Sequence, residues 1–258
     1  MTQGDLALVG SGEYTAAMDN VDRLLLDRLR RDARVALLPT ASGLEPGMPE
    51  RWNAQGVAHF EALGATAMPL LIVRREDAFV PAYIEQLASA DFFYFSGGDP
   101  QYVVDTWRDT PAWAALVSQW QRGAVLAGCS AGAMMLGPFT IRIRSIVAGQ
   151  VPQWAPALGL LPHITVIPHF DRMRNFISHA QLSSVILASP PGVTVVGVDE
   201  DTALVHVDER WQVLGRQGVT IFSGEAELVH YAAGQYVPLP SLYMQQPSTT
   251  PNDGLSED

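Results

Sequence analysis

The first half of the chain alternates short apolar runs with longer segments whose apolar side chains recur every three or four residues. The apolar runs predict buried strands, and the longer segments predict helices that pack on them. This alternation predicts an α/β fold with a mostly parallel sheet and helices on both faces. The predicted strands are 5–9, 34–38, 67–73, 91–95 and 124–127, and the predicted helices are 20–31, 49–63, 80–90 and 101–121.

The second half of the chain has a different pattern, with shorter strands separated by turn residues. Residues 141–148 alternate apolar and polar side chains, which predicts a half-exposed strand, and residues 164–167 predict another strand. We expect the strands 193–198, 203–207, 211–214 and 219–222 to form an antiparallel edge. No linker divides the chain, so residues 1–243 are predicted to form one domain, and the polar residues 244–258 a disordered tail.

Composition narrows the range of functions. The net charge of −11 argues against a nucleic-acid surface, which needs clustered cations. The chain contains no lysine and only one cysteine, so we predict no lysine Schiff-base chemistry and no cysteine-based zinc site. We also predict neither a metal nor a cofactor. No apolar run approaches the roughly 20 residues of a membrane span, and no signal peptide is visible. We therefore expect a cytoplasmic protein that does not associate with membranes.

Ser130 is the candidate nucleophile. The segment Gly128-Cys129-Ser130-Ala131-Gly132 is a G-x-S-x-G pattern between an apolar run and a predicted helix. Such a pattern is typical of a serine held on a tight turn between strand and helix, with backbone N–H groups directed at a developing oxyanion. Small residues that only let a helix cross a strand closely are the alternative interpretation. Cys129 occupies a position that should point away from the site.

His169 is the best candidate for the base that a serine nucleophile requires. The apolar run 164–167 ends just before it, and loops after parallel strands meet at one edge of a sheet. We therefore predict that the Ser130 and His169 side chains lie within about 4 Å of each other. We also predict backbone angles at Ser130 that are unusual for a residue other than glycine.

Four motifs occur in the order seen in the dipeptidase E and cyanophycinase family of serine peptidases, which this chain resembles. The motifs are Gly97-Gly98-Asp99, Gly128-Cys129-Ser130-Ala131-Gly132-Ala133, Pro168-His169-Phe170 followed by arginines, and the segment 197–204. The resemblance implies a flavodoxin-like sheet, similar to class I glutamine amidotransferase domains, and substrates that are short peptides or amide polymers built on aspartate. It implies Ser130 as nucleophile, His169 as base, and the N–H groups of Gly98 and Ala131 as the oxyanion hole.

Substrate contacts are expected from Asp99 in the first motif and from Arg172 and Arg174 after the histidine. Arginine binds a carboxylate through paired hydrogen bonds, which suits an acidic substrate, although a solvated helix face would also explain the two arginines. The expected partner is a small peptide or amide, and a homodimer is left open.

The chain has no acidic residue between Ala131 and Phe170, where the resemblance leads us to expect the third member of a catalytic triad. Gln150 is our first choice for a partner of the His169 ring, and Glu200 or Asp201 is the second. The missing acid leaves two hypotheses. One is a serine hydrolase, and the other is a weakly active or inactive relative that binds a small acidic ligand in the same crevice.

Overall fold

The structure is a computed structural model that describes residues 3–30, 32–141, 153–176, 178–223, 227–240 and 242. We number its strands and helices in chain order. The strands are β1 Leu6–Val9, β2 Arg34–Leu38, β3 Thr66–Pro69, β4 Phe92–Phe95, β5 Val125–Cys129, β6 Phe139–Ile141, β7 Trp154–Pro156, β8 Ile164–Ile167, β9 Thr194–Val198, β10 Thr202–Val207, β11 Arg210–Gly215, β12 Gly218–Ser223, β13 Glu227–Ala232 and β14 Tyr236–Val237. The α-helices are α1 Asp19–Asp27, α2 Met48–Ala62, α3 Pro81–Ala88, α4 Pro100–Trp107, α5 Pro111–Trp120, α6 Ala131–Met134, α7 Phe170–Phe176 and α8 His179–Leu187.

The main sheet has eight strands in the order β14-β11-β10-β1-β5-β4-β2-β3. The five strands from β1 to β3 in this order are parallel, and β10, β11 and β14 continue the sheet in antiparallel pairing. Strands β1, β4 and β5 are fully buried, as expected for central parallel strands covered on both faces. The predicted α/β fold with a mostly parallel sheet and an antiparallel edge is therefore confirmed.

A second sheet of four strands, in the order β13-β12-β9-β8, was not expected from the sequence. Strands β8 and β9 are parallel to each other, and β12 and β13 follow in antiparallel pairing. The chain leaves this sheet after β9 and enters the main sheet at β10 through a turn in which Asp201 has a φ of +51°. The antiparallel edge of the main sheet therefore contains β10 and β11, whereas β9 and β12 belong to the second sheet.

The predicted helix 101–121 is two helices, α4 and α5. Pro111 lacks the N–H that a continuous helix would require and disfavours helical angles in the residue before it. Thr110 instead caps the second helix, because its Oγ1 accepts a hydrogen bond from the Trp113 N–H at 3.2 Å. The predicted core stripe of Trp107, Trp113 and Trp120 is buried at Trp107 and Trp120, whereas Trp113 is partly buried against the same core.

Some predictions concern residues outside the described part of the chain. The tail 244–258, Gln150, and all of the predicted strand 141–148 except Ile141 belong to this group. Within the described ranges, no helix has both the length and the apolar composition needed to cross a membrane.

Candidate active site

Ser130 lies on a tight turn between β5 and α6. Its backbone has a φ of +52° and a ψ of −113°, which confirms the expected unusual conformation. Its N–H donates to the Val9 carbonyl at 2.9 Å, so the turn is fixed to the neighbouring strand. A Cβ at Gly128 would lie 2.2 Å from the Gly132 carbonyl oxygen, so only glycine allows this approach of strand and helix. The turn leaves the Ser130 hydroxyl facing a cavity.

His169 follows β8, and its Nε2 atom lies 3.0 Å from Ser130 Oγ. The predicted proximity of these two side chains is confirmed, although the histidine comes from the second sheet rather than from the main one. His169 also has a left-handed backbone conformation, with a φ of +50°. The adjacent Phe170 ring lies over Gly197, where a Cβ would come within 2.5 Å of it. Close packing between α7 and β9 thus holds the histidine in place.

Glu200 lies in the turn between β9 and β10, and its Oε1 atom is 3.0 Å from His169 Nδ1. The same carboxylate forms an ion pair with Arg172 through its other oxygen, at 2.6 Å from Nε. The Glu200 backbone N–H donates to Asp171 Oδ1 at 2.9 Å. The helix that begins after the histidine therefore holds the glutamate in position from two sides.

The structure places Glu200, our second choice from the sequence, beside His169 Nδ1. Gln150, the first choice, lies outside the described residues. Asp201, the other alternative, forms an ion pair with Arg216 at 3.3 Å instead. Gln150 is the first choice because the resemblance places the third triad member between serine and histidine. In the structure, the acidic residue beside the His169 ring comes from a later turn.

Two acidic residues support the turn that carries Glu200. Asp199 Oδ2 accepts a hydrogen bond from the Gly218 N–H at 3.1 Å. Burial raises the pKa of the Asp199 carboxyl, and the nearby charge of Asp171 raises this pKa further. Asp171 and Asp199 therefore hold the turn that carries Glu200 beside His169.

A cavity of about 600 Å³ opens over Ser130 and His169. Its polar wall includes the carboxylates of Glu13, Glu45 and Asp99. Its apolar wall is formed by Met48, Trp52, Pro100, Met134 and Pro168. A space of this size accommodates a ligand of a few residues rather than a folded protein.

Gly98 and Ala131 both line this cavity, close to Ser130. Among the described residues, neither backbone N–H takes part in a hydrogen bond. Ala131 is the first residue of helix α6, and Gly98 has a φ of +150°. Backbone N–H groups beside a serine hydroxyl are the elements from which an oxyanion hole is built.

The three expected substrate-binding residues lie in different surroundings. Asp99 lines the cavity, but its Oδ1 also caps α4 by accepting hydrogen bonds from the N–H groups of Gln101 and Tyr102. The side chain of Arg172 is 65% exposed and contacts Glu200. Arg174 lies on α7, and its side chain is outside the described part of the structure. Substrate binding by these residues stays a prediction.

Glu13 is a cavity residue that sequence reasoning did not select. It is 8% exposed, and its carboxylate accepts hydrogen bonds from the Gly97 N–H and the Cys129 thiol. Burial raises the pKa of Cys129 well above its usual value, and the charge of Glu13 adds to this effect. The thiol is fully buried and is a poor candidate for reaction with a substrate. The sequence feature that could have indicated Glu13 is its position directly after the glycines that follow β1.

Substitution of Gly98 by alanine is expected to reduce both folding stability and activity. A Cβ at this position would lie 2.2 Å from the Ala41 carbonyl carbon and oxygen, so the backbone that carries the N–H group must shift. Gly64→Ala is a matched control, because Gly64 also has a positive φ, but a Cβ there meets nothing within 4 Å. We expect a stability loss of about 1 kcal/mol for the control and a larger loss for Gly98→Ala.

Thermal unfolding of both variants and their rates of serine labelling by a fluorophosphonate would check this prediction. Equal stability losses with unchanged labelling would show that the Gly98 loop tolerates a side chain.

The fold and these contacts place the chain among hydrolases of the peptidase type. Ser130 lies on a tight turn after β5. The His169 ring is within hydrogen-bonding distance of Ser130 on one side and of Glu200 on the other. The chain belongs to peptidase family S51, whose family model matches residues 6–214.

Relatives and a solved structure agree with this assignment. The chain is 31% identical over 206 residues to a cyanophycinase from Geminocystis herdmanii, covering 76% of this chain and 71% of that protein. It is 29% identical over 156 residues to Peptidase E from Citrobacter koseri, covering 58% of this chain and 67% of that protein. A crystal structure of a peptidase from an acI-B1 Actinobacterium superposes with a TM-score of 0.81 at 34% identity, covering 91% of this chain and 96% of that one. Against another matching cyanophycinase, from Synechococcus elongatus, the chain spans 58% of the relative's length.

Proposed function

We propose that this protein is a serine peptidase that cleaves short peptides or small amides, with Ser130 as nucleophile, His169 as general base and Glu200 as the residue that orients the histidine. The observation that carries this proposal is the continuous path of two 3.0 Å contacts, from Ser130 Oγ to His169 Nε2 and from His169 Nδ1 to Glu200 Oε1. A serine alone is a weak nucleophile, and an oriented base next to it removes the proton during attack.

In the proposed first step, Ser130 Oγ attacks the carbonyl carbon of the substrate while its proton moves to His169 Nε2. The N–H groups of Gly98 and Ala131 stabilise the negative charge on the carbonyl oxygen. The C–N bond then breaks, and the leaving amine takes the proton from Nε2. The product of this step is an ester of Ser130.

Water completes the proposed reaction. His169 accepts a proton from the water that attacks the ester, and the C–O bond to Ser130 breaks as the serine recovers its proton. Glu200 stays ionised throughout and stabilises the positive charge that His169 carries transiently. The ion pair between Glu200 and Arg172 keeps the carboxylate in place from one catalytic cycle to the next.

The cavity of about 600 Å³ and the relatives named cyanophycinase and Peptidase E support a short peptide as the substrate. An aspartyl residue beside the cleaved bond is the preference to test first. The Arg172 side chain is 65% exposed, and the guanidinium has N–H groups in addition to the one that contacts Glu200, so it could also bind a substrate carboxylate.

Labelling with a fluorophosphonate probe tests the proposed nucleophile. We expect the wild-type protein to be labelled on Ser130, because an activated serine attacks phosphorus as it attacks a carbonyl carbon. Ser130→Ala should lose the label. Ser89→Ala, which removes a hydroxyl outside the cavity, should keep it. Identification of the labelled peptide by mass spectrometry gives the site.

Steady-state hydrolysis of aspartyl dipeptides would complete the test. A wild-type protein that neither takes the label nor turns over any short peptide would contradict the proposal. That result would favour a protein that binds a small acidic ligand in the same cavity without cleaving it.

A further inference from the structure

The loop after β1, residues 10–13, contributes to the cavity although no step of the proposed reaction uses it. Its last residue, Glu13, is buried with 8% of its surface exposed. Glu13 Oε1 accepts a hydrogen bond from the Gly97 N–H at 2.9 Å, and Oε2 accepts one from Cys129 Sγ at 2.9 Å. The two donors adjoin Gly98 and Ser130 in sequence. Glu13 thus connects the loop after β4 with the turn after β5.

Gly97 is held between Glu13 and the serine. A Cβ on Gly97 would lie 3.0 Å from Glu13 Oε1 and 3.3 Å from Ser130 Cβ. The Gly97 N–H belongs to the peptide group immediately before the one that carries the Gly98 N–H. On the other side, the Asp99 N–H donates to the Ala41 carbonyl at 2.7 Å. The peptide group that contains the Gly98 N–H is therefore fixed from both ends.

We propose that Glu13 is a positioning residue that holds the 97–98 segment so that the Gly98 N–H is directed at the oxyanion formed on attack by Ser130. This inference rests on the proposed function. Glu13 acts through Gly97 and does not need to touch the substrate. Oxyanion stabilisation depends on donors that are already in place when charge develops, so a loosened donor loses much of its effect.

The second hydrogen bond explains why a carboxylate suits this position. Burial raises the pKa of the Cys129 thiol, so the thiol keeps its proton and can donate it to Glu13. A carboxylate accepts from both donors, whereas the glutamine amide has one acceptor oxygen and two N–H groups. Glutamine can therefore preserve the bond from Gly97 but not the bond from Cys129. Alanine preserves neither.

The test compares Glu13→Ala and Glu13→Gln in the full-length protein by steady-state kinetics on the best short peptide found for the wild type. For Glu13→Ala we expect kcat to fall by about 10- to 100-fold with KM changed less than about threefold, because the lost interaction acts in the transition state. Glu13→Gln should recover most of the activity. A peptide aldehyde that forms a tetrahedral adduct with Ser130 should bind Glu13→Ala more weakly by the same factor as kcat falls.

Asp22→Asn is the matched control, because Asp22 is a carboxylate of 1% exposure that is hydrogen-bonded to His59 at 2.8 Å and does not line the cavity. The change in the thermal unfolding midpoint of Asp22→Asn measures how much stability is lost when a buried acid is altered. We expect this variant to bind the aldehyde as tightly as the wild type does. A raised KM with unchanged kcat would assign Glu13 to substrate binding and overturn the inference. Equal kinetics for Glu13→Ala and wild type would overturn it as well, while leaving the proposed function intact. A wild type without labelling or turnover would refute both.

Discussion

Replacement of Ser130 by alanine is expected to lower kcat for a short peptide by about 10⁵- to 10⁶-fold. The variant lacks the proposed nucleophilic atom, while the N–H groups of Gly98 and Ala131 remain. His169→Ala should cost nearly as much, because Ser130 Oγ then has no base at 3.0 Å. The double variant should be about as active as either single one, since the two side chains act as a unit.

Steady-state kinetics with a sensitive fluorogenic peptide would measure these losses. The Ser130→Ala protein should retain its substrate affinity and its thermal unfolding midpoint, because the hydroxyl lies at the cavity and not in the core. Additive losses in the double variant would show that serine and histidine act independently, which contradicts the proposed mechanism. A Ser130→Ala protein with nearly full activity would exclude serine catalysis.

Replacement of Glu200 by glutamine is expected to lower kcat by about 10³- to 10⁴-fold. The amide retains the size of the side chain but not the charge that stabilises the His169 imidazolium. It can also offer an N–H to Nδ1 and so favour the wrong ring tautomer. Glu200→Ala should lose a similar factor and, in addition, leaves Arg172 without its carboxylate partner.

Two control substitutions distinguish the role of Glu200 from those of Gln150 and Asp201. Gln150→Ala tests our first choice from the sequence and is expected to be nearly neutral. Asp201→Asn changes the adjacent acid, which pairs with Arg216 at 3.3 Å and does not contact the histidine. If Gln150→Ala were inactive while Glu200→Gln kept wild-type rates, the orienting residue would be Gln150.

The main sheet could be predicted from the sequence because its central strands are buried on both faces and therefore appear as continuous apolar runs. The Phe-Phe-Tyr-Phe run of β4 is an example, with all four side chains buried. The second sheet could not be predicted in this way. Strands β9 and β10 have the same apolar character, and only the turn between them, with the left-handed Asp201, separates the two sheets.

The site residues that short-range sequence patterns indicate could be predicted. The site residues that only tertiary packing brings to the cavity could not. The glycines around Ser130 and the strand before His169 are short-range signals, and they identified both residues. Glu200 approaches the histidine only because β8 and β9 are neighbours in the second sheet. Glu13 accepts a hydrogen bond from Gly97, which lies 84 positions later in the sequence, and no local sequence pattern predicts such a contact.

The arrangement of the two sheets has a consequence for how this protein can lose function. Ser130 follows a strand of the main sheet, His169 follows a strand of the second sheet, and Glu200 lies where the chain passes from one to the other. A misplacement of about 1 Å between catalytic groups can reduce a rate about 100-fold. Sliding of one intact sheet against the other would therefore inactivate the protein while every strand kept its hydrogen bonds. Far-ultraviolet circular dichroism, which reports secondary structure, would not detect such a molecule. Turnover therefore measures the docking of the sheets more sensitively than secondary-structure content does.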